Sequence, residues 1–456
     1  MLHRGRIAPQ ATTTTDHLME RRRKRMTDIA SRMVSRFDHH DPDLAGDGVP
    51  QRVYRHLREK CPFTWSDAYD GFWVASTYAD VEEVVRDPGT FVSSQGILVP
   101  DLNDSLTPED QQNRLETGRG VIGPPVSYDP PVHTEIRRKL EPLFSPAVVR
   151  QRDDYIRTVA DDWIDSFIAD GKCDVVAQFC APVPTIVVLN WLGLHDEDWK
   201  IWSDAVLDQF SRPGQYGPDI SAIDLPKLLS TLQDRRENPA NDVITAIAQI
   251  EFDGQLLDDL EMVALLAQMV FAGLDTTTNA TASTLVELYR HPDIRDELAR
   301  TPHDDRLWAS ATEEFLRYTC PIQGFKRTAR TDTTVAGQTI EAGQRVYMLW
   351  ASANFDKHEF DRPDQIDIRR ATNRHMTFGR GIHRCLGSHL ARLEVKVMVQ
   401  QILQRLPDYT VDESKLDLHA DVGIANGYES VPIEFTPGPR RSAGEGVGTS
   451  APVTAG

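Results

Sequence analysis

The sequence predicts a mainly α fold with a small β region, built as a single large domain. Three observations carry that expectation. Apolar residues recur with helical spacing along most of the chain, while strand-like alternation is confined to three short runs. The 456 residues have an ordinary soluble composition and suffice for one large or two medium domains. Between the two ends there is no linker long enough to separate domains and no internal repeat.

The elements follow in order. Residues 1–29 read as a disordered tail: four consecutive threonines precede the basic run Arg21-Arg22-Arg23-Lys24-Arg25, a solvated charge cluster, and Met26 is a candidate start. The folded domain is expected over 30–436. Its strands are 71–75, 345–348 and 431–435. Its helices are 79–86, 133–143, 148–170, 260–289, 308–318 and 386–406, the longest closed by His291-Pro292. Residues 437–456, rich in Gly, Pro, Ser and Ala, read as a flexible tail. The most apolar stretch, 260–274, is interrupted by Glu261 and Gln268 and is too short to cross a membrane; no apolar secretory core opens the chain. A cytoplasmic, soluble protein without a membrane span is therefore expected. The net charge of −19 disfavours nucleic-acid partners, and five irregularly spaced cysteines argue for a reducing compartment and against a disulfide framework.

The run Phe378-Gly379-Arg380-Gly381-Ile382-His383-Arg384-Cys385-Leu386-Gly387 carries the chemistry. A cysteine on a glycine-rich turn before a helix is placed to be a thiolate, because unpaired N–H groups and the helix dipole favour the anion. Glycines let a flat, bulky partner approach the backbone. The pattern resembles the haem-ligand loop of the cytochromes P-450, and the order of elements over roughly 30–436 is similar to that family's fold. The resemblance implies haem b (iron protoporphyrin IX) with Cys385 as the axial iron ligand, its thiolate favouring O–O cleavage. Without Cys-x-x-Cys-His the haem is expected to be non-covalent. Phe378, Gly379 and Ala272 are expected against the cofactor.

Within 260–289 stands Ala272-Gly273-Leu274-Asp275-Thr276-Thr277-Thr278. Gly, Asp and Thr are poor helix formers, and threonine hydroxyls bond to carbonyls a turn earlier, so a loosened helix with room for a diatomic ligand is expected. The run looks like the family's oxygen-activation motif, which makes Asp275 and Thr276 a proton relay. The pair also favours electron-driven O2 chemistry over peroxide use.

Glu314 and Arg317 share a helical face; the pattern matches the family's Glu-x-x-Arg element, which implies a buried structural network with Arg370 as third member. Haem propionates need cationic partners. His133 and Arg137, four apart on a helix, match the family's His-x-x-x-Arg element, and Arg327 and His383 are the other matching positions. The chain departs from the family at Ala353-Asn354-Phe355-Asp356-Lys357, where an arginine and a proline are usual.

The run Gly118-Arg119-Gly120-Val121-Ile122-Gly123 spells a dinucleotide fingerprint but lacks the strand before it and the helix after it, so it is rejected as a cofactor box. No flavin or iron–sulfur module being visible, electrons are expected from a ferredoxin or flavodoxin with an NAD(P)H-dependent reductase. A basic patch of Arg138, Lys139, Arg374, Arg380, Arg384 and Arg392 is the expected dock. By register with the family, Gln268, Phe271 and Ala272 face the distal pocket, with Gln323 and Ile424 from later loops. The loop 93–127 lends Ile97, Leu98, Val99, Val121 and Ile122. A mainly hydrophobic small molecule with a polar handle is the expected substrate. The alternatives are another haem-thiolate oxidation, such as coupling or desaturation, and a haem sensor without catalysis. A cysteine hydrolase is disfavoured, since Cys385 and His383 sit two apart on a tight loop with no third group.

Overall fold

A computed structural model describes residues 29, 32–33, 36–101, 107–119, 123–208 and 220–441. The basic run 21–25, Val121, Ile122 and the tail beyond 441 lie outside the described residues.

The helices that build the site are α1 (Val49–Lys60), α2 (Tyr78–Val85), α3 (Pro108–Thr117), α4 (Val132–Leu140), α5 (Asp153–Phe167), α6 (Pro182–Leu192), α7 (Trp199–Asp208), α8 (Leu225–Glu237), α9 (Asp259–Arg290), α10 (Asp305–Thr319) and α11 (Ser388–Arg405). The strands are β1 (Phe63–Ser66), β2 (Phe72–Ala75), β3 (Phe91–Val92), β4 (Lys172–Asp174), β5 (Phe325–Ala329), β6 (Arg345–Met348), β7 (Thr410–Val411), β8 (Asp417–Leu418), β9 (Tyr428–Ser430) and β10 (Pro432–Glu434). Two further short hairpins occupy 251–256 and 333–340.

The main sheet runs β1-β2-β6-β5-β3. β6 is parallel to β2 with Val346 opposite Trp73, and antiparallel to β5 with Val346 opposite Arg327. A smaller sheet joins β7, β10 and β4, and β8 pairs with β9 as a hairpin. The sheet closes one apolar core around Phe37, Tyr54, Phe72 and Tyr347, and the helices form a larger one.

α9 is the axis of the helical core. Its start is fixed by a capping box: the Asp258 carboxylate accepts from the Glu261 N–H, and Glu261 accepts from that of Asp258. His291-Pro292 ends it. It packs against α6, α7, α8, α10 and α11, burying Leu265, Leu266, Val270, Leu274 and Leu285. Among the described residues α9 is long and apolar enough to cross a membrane by length and composition, which corrects the expectation that this stretch is too short. Its place as the central helix of the fold accounts for that composition.

Two expected helices end early for local reasons. The helix 133–143 gives way after Leu140 to a 3-10 turn, Glu141–Phe144, because Pro142 has no N–H to offer. The stretch 148–170 divides at Gln151-Arg152, and Asp153 and Asp154 supply the acidic first turn of a new helix. α6 escaped the periodicity reading because every one of its residues is buried, leaving no polar face to mark the turn.

Candidate active site

A cavity of about 440 Å³ lies between α9 and the loop that precedes α11, within the range of roughly 300–1,000 Å³ typical of ligand sites. Ala272, Asp275 and Thr276 line it from the helix, and Phe378, Gly379, His383 and Cys385 from the loop. The loop is held by the Cys385 N–H, which donates to the Phe378 carbonyl at 2.8 Å. Gly381 takes φ +67°, and a Cβ there would stand 2.7 Å from the Val85 carbonyl oxygen, so the turn requires glycine.

Cys385 does not sit at the helix N-terminus itself; α11 begins at Ser388. The sulfur opens onto the cavity yet lies deep among protein atoms. Burial pushes its thiol up, against the opposing influence of the Gly387 N–H and of Arg137, Arg392 and Arg384. The Gly387 N–H and the three arginines are the groups around the loop that favour the thiolate form.

One wall carries two histidines and two arginines. The His133 and His383 rings are 4.2 Å apart, centre to centre. His383 Nε2 lies 3.1 Å from Ser93 Oγ, while Nδ1 of both rings is buried without a partner among the described residues. Burial and the nearby Arg137 and Arg327 push the His133 imidazole down to about 4, and His383 well below its ordinary value. Arg327 is itself buried and has no ion pair among the described residues; burial lowers its guanidinium to about 10, with Asp129 opposing. Buried cations and orphaned ring nitrogens are costly unless an anion completes them. Arg137 lines the same cavity, but its side chain is largely committed. It pairs with Glu141 at 2.8 Å and donates to the Arg384 carbonyl at 2.9 Å, bracing the cysteine loop, and it stands with His133 and His383 on the wall where the propionate partners are expected.

On the opposite wall α9 runs unbroken through its glycine and threonines, contrary to the expected loosening. The threonine back-bonding is present: Thr276 Oγ1 donates to the Ala272 carbonyl at 2.9 Å, and Thr278 to that of Leu274 at 2.9 Å. Asp275 is buried, and loss of solvation raises its carboxyl to about 7, with the Asn279 amide opposing at 2.8 Å.

Gln268, Phe271 and Ile424 line the cavity, as do Ile97 and Leu98 from the covering loop. Val99 is buried beside them. Gln323 does not take part. Its amide accepts from Tyr54 Oη at 2.9 Å and donates to the Cys320 carbonyl at 3.0 Å, so it ties the sheet core together, and the expectation of a substrate contact is corrected. Trp350 and Phe325, unmarked in the sequence, join the lining.

Glu314 and Arg317 are wholly buried, and Arg370 nearly so. Asn373, unmarked in the sequence, donates to Glu314 at 3.0 Å as a further partner. At the departure noted above, Phe355 places its ring 5.3 Å from the Arg317 guanidinium carbon.

The comparisons with known proteins bear on this arrangement. Residues 227–305 and 306–416 match the family model "Cytochrome P450". The chain is 31% identical over 419 residues to "Cytochrome P450-terp" of a Pseudomonas species, covering 86% of this chain and 95% of that protein. The chain belongs to the cytochrome P450 family. It is 29% identical to the linalool 8-monooxygenase of Pseudomonas putida, over 89% of this chain and 100% of the relative. The crystal structure of a P450 from Novosphingobium aromaticivorans superposes with a TM-score of 0.74 at 30% identity, covering 89% of this chain and 98% of the other. This P450 is thus a monooxygenase, an oxidoreductase that incorporates oxygen. The family implies haem with a cysteine thiolate ligand, and the residues present fit that group: a sulfur faces the cavity, and a wall of two histidines and two arginines, with two imidazole nitrogens unpartnered among the described residues, suits the carboxylates of a porphyrin.

Proposed function

We propose that Cys385 ligates haem b, held non-covalently, and that the chain hydroxylates a mainly hydrophobic small molecule carrying one polar group. The electrons would come from a ferredoxin or flavodoxin served by an NAD(P)H-dependent reductase. The overall reaction is RH + O2 + two electrons + two protons → ROH + water. The observation that carries this reading is the shared cavity: the Cys385 sulfur and the Asp275–Thr276 turn line one space from opposite sides.

Haem supplies O2 binding and activation and the oxidising power for C–H hydroxylation when bound. His133, His383 and Arg327 are the groups that would hold its propionates. The protein's own task is proton supply and placement. Thr276 keeps its hydroxyl proton on the Ala272 carbonyl and passes it into the cavity by swinging off that bond. Asp275, raised to about 7, is poised to exchange a proton near neutrality and so to reload the hydroxyl.

The lining favours an apolar skeleton. Phe271, Ile97, Leu98, Ile322, Phe325 and Ile424 surround the distal space, and Gln268 offers an amide for one oxygen on the substrate. The relative named for linalool, an apolar alcohol, supports that class.

The test is the spectrum of the reduced, haem-loaded protein under carbon monoxide. The far red-shifted Soret band of thiolate ligation is expected, and its survival in Cys385→Ser would overturn the assignment.

A further inference from the structure

A buried polar string leads from the relay acid to a histidine that no motif marked. The Asn279 Nδ2 donates to Asp275 Oδ1 at 2.8 Å, and His419 Nε2 lies 3.0 Å from Asn279 Oδ1. Asn279 and His419 are both completely buried. An amide oxygen only accepts, so His419 must carry its proton on Nε2 in this arrangement. The donor order is then fixed along the string: imidazole N–H to amide oxygen, amide N–H to carboxylate. With the proton on His419 Nε2 and the Asp275 carboxyl ionised, a flipped amide would set its NH2 against the imidazole N–H and its oxygen against the carboxylate, losing both bonds.

The imidazole is delivered by the hairpin formed by β8 and β9. The His419 N–H donates to the Gly427 carbonyl at 3.2 Å. Gly427 packs so tightly on the amide that an added Cβ would overlap the Asn279 side-chain oxygen. Burial lowers His419 to about 4, the nearby Asp421 opposing, so the ring stays neutral under working conditions. Burial raises the Asp275 carboxyl and the Asn279 amide opposes it.

We propose that His419 is a positioning residue for Asp275: by fixing the sense of the Asn279 amide it keeps an N–H on the carboxylate and so sets where that acid exchanges its proton. The inference rests on the reading of Asp275 as the relay acid, and its test separates the two.

The experiment is an infrared pH titration of the protonated-carboxyl band in the full-length, haem-loaded protein, with Asp275 identified by the band lost in Asp275→Asn. In His419→Phe, which keeps the ring volume but removes the donor, the amide is free to turn. The midpoint of the Asp275 band is expected to rise by about one in pH, since a hydrogen bond to the charged form is lost. His419→Gln restores an N–H donor and is expected to return the midpoint. Should His419→Phe fail to fold, His419→Leu removes the donor with a smaller apolar side chain, and the same rise is expected. An unmoved midpoint in His419→Phe, or in His419→Leu where that variant stands in for it, overturns the proposal. So does a His419→Gln protein that behaves like His419→Phe. Coupling of electron use to product is read in the same samples. A moved midpoint with unchanged coupling upholds the positioning role and sinks the relay reading instead.

Discussion

Arg317 meets Glu314 in a forked pair, Nε to one carboxylate oxygen at 2.9 Å and a terminal nitrogen to the other at 2.8 Å, with neither side chain exposed to solvent. Arg370 adds two bonds to the same carboxylate, at 2.9 and 3.1 Å, and the Asp367 N–H adds another at 2.9 Å. The second terminal nitrogen of Arg317 donates to the carbonyls of Asn354 and Pro363, both at 2.9 Å. The cluster therefore knots α10 to the chain segment that leads into the cysteine loop. Removing one partner leaves a buried charge uncompensated, at a cost of about 3–5 kcal/mol. Arg317→Ala is expected to unfold at markedly lower denaturant and to be recovered largely free of haem, measured by urea unfolding and by haem content.

The same cluster predicts how the protein responds to acid. Burial favours the neutral Glu314, but the bonds from Arg317 and Arg370 outweigh it and hold the carboxyl below its ordinary value. A depressed acid stabilises the fold above its unfolded pKa, about 4.3, and that contribution is lost as pH falls through the folded value. Glu314→Gln should therefore be less stable at neutral pH and show a flatter acid limb below about pH 5 in a series of denaturant titrations.

Asp275 predicts the opposite slope. Its carboxyl is raised to about 7, so between about pH 4 and 7 the folded chain holds a proton that the unfolded chain has released. The contribution is complete below about pH 4 and disappears as pH rises through 7. Asp275→Asn keeps the shape and removes the titration. Relative to the parent, its stability is expected to gain with pH over that window, by an amount on the order of a few kcal/mol. Equal pH dependence in the two proteins would contradict the burial argument.

The arginine and histidine wall can be tested without turnover. Arg327→Leu removes the buried cation beside His133 and His383 and leaves any bound carboxylate facing two neutral rings. Haem binding is expected to weaken by roughly 2–5 kcal/mol, the usual cost of deleting one member of a desolvated charge pair. Haem transfer to an excess of an apo-haem acceptor measures it. Arg137→Leu should act differently. Because that side chain braces the Arg384 carbonyl and pairs with Glu141, its loss is expected to disturb the cysteine loop and shift the Soret band more than it changes haem affinity.

These contrasts show which parts of the site the sequence could announce. The cysteine loop and the Asp275–Thr276 turn are local: each packs its motif into fewer than a dozen consecutive residues, which is why the resemblance to the family could mark them. The Glu314–Arg317 pair was legible through its helical spacing, and Asn279 stands four residues from Asp275 on the same face, so the same rule could have found it. His419 had no such signal. It reaches Asn279 across 140 positions because a two-stranded hairpin folds back onto α9. Gln323 misled for the converse reason: loop register placed it near the pocket, but the Tyr54 hydroxyl and the Cys320 carbonyl claim its amide. Full burial hid α6 altogether, since periodicity needs a wet face to be seen.

The expected electron-donor dock changes most on the structure, and it yields the last prediction. Four of its six cations already have partners: Arg138 with Glu135 at 2.7 Å, Arg374 with Glu359 at 2.9 Å, Arg380 with Glu82 at 3.2 Å and Arg392 with Glu313 at 2.5 Å. Those pairs cancel at the distance of an approaching protein. Lys139 is exposed on α4 and has no ion pair among the described residues, so it contributes an uncompensated positive charge to that face. A negatively charged donor gains from each unpaired cation chiefly in its rate of encounter, and the gain fades as salt screens it over about 8–10 Å. Lys139→Glu is expected to slow reduction severalfold at low ionic strength and much less at high salt. Arg374→Ala, which frees Glu359, is expected to slow it to a similar degree by exposing a carboxylate. Stopped-flow reduction with a small acidic ferredoxin across a salt series measures both, and rates that ignore ionic strength in the parent protein would rule out electrostatic docking at this face.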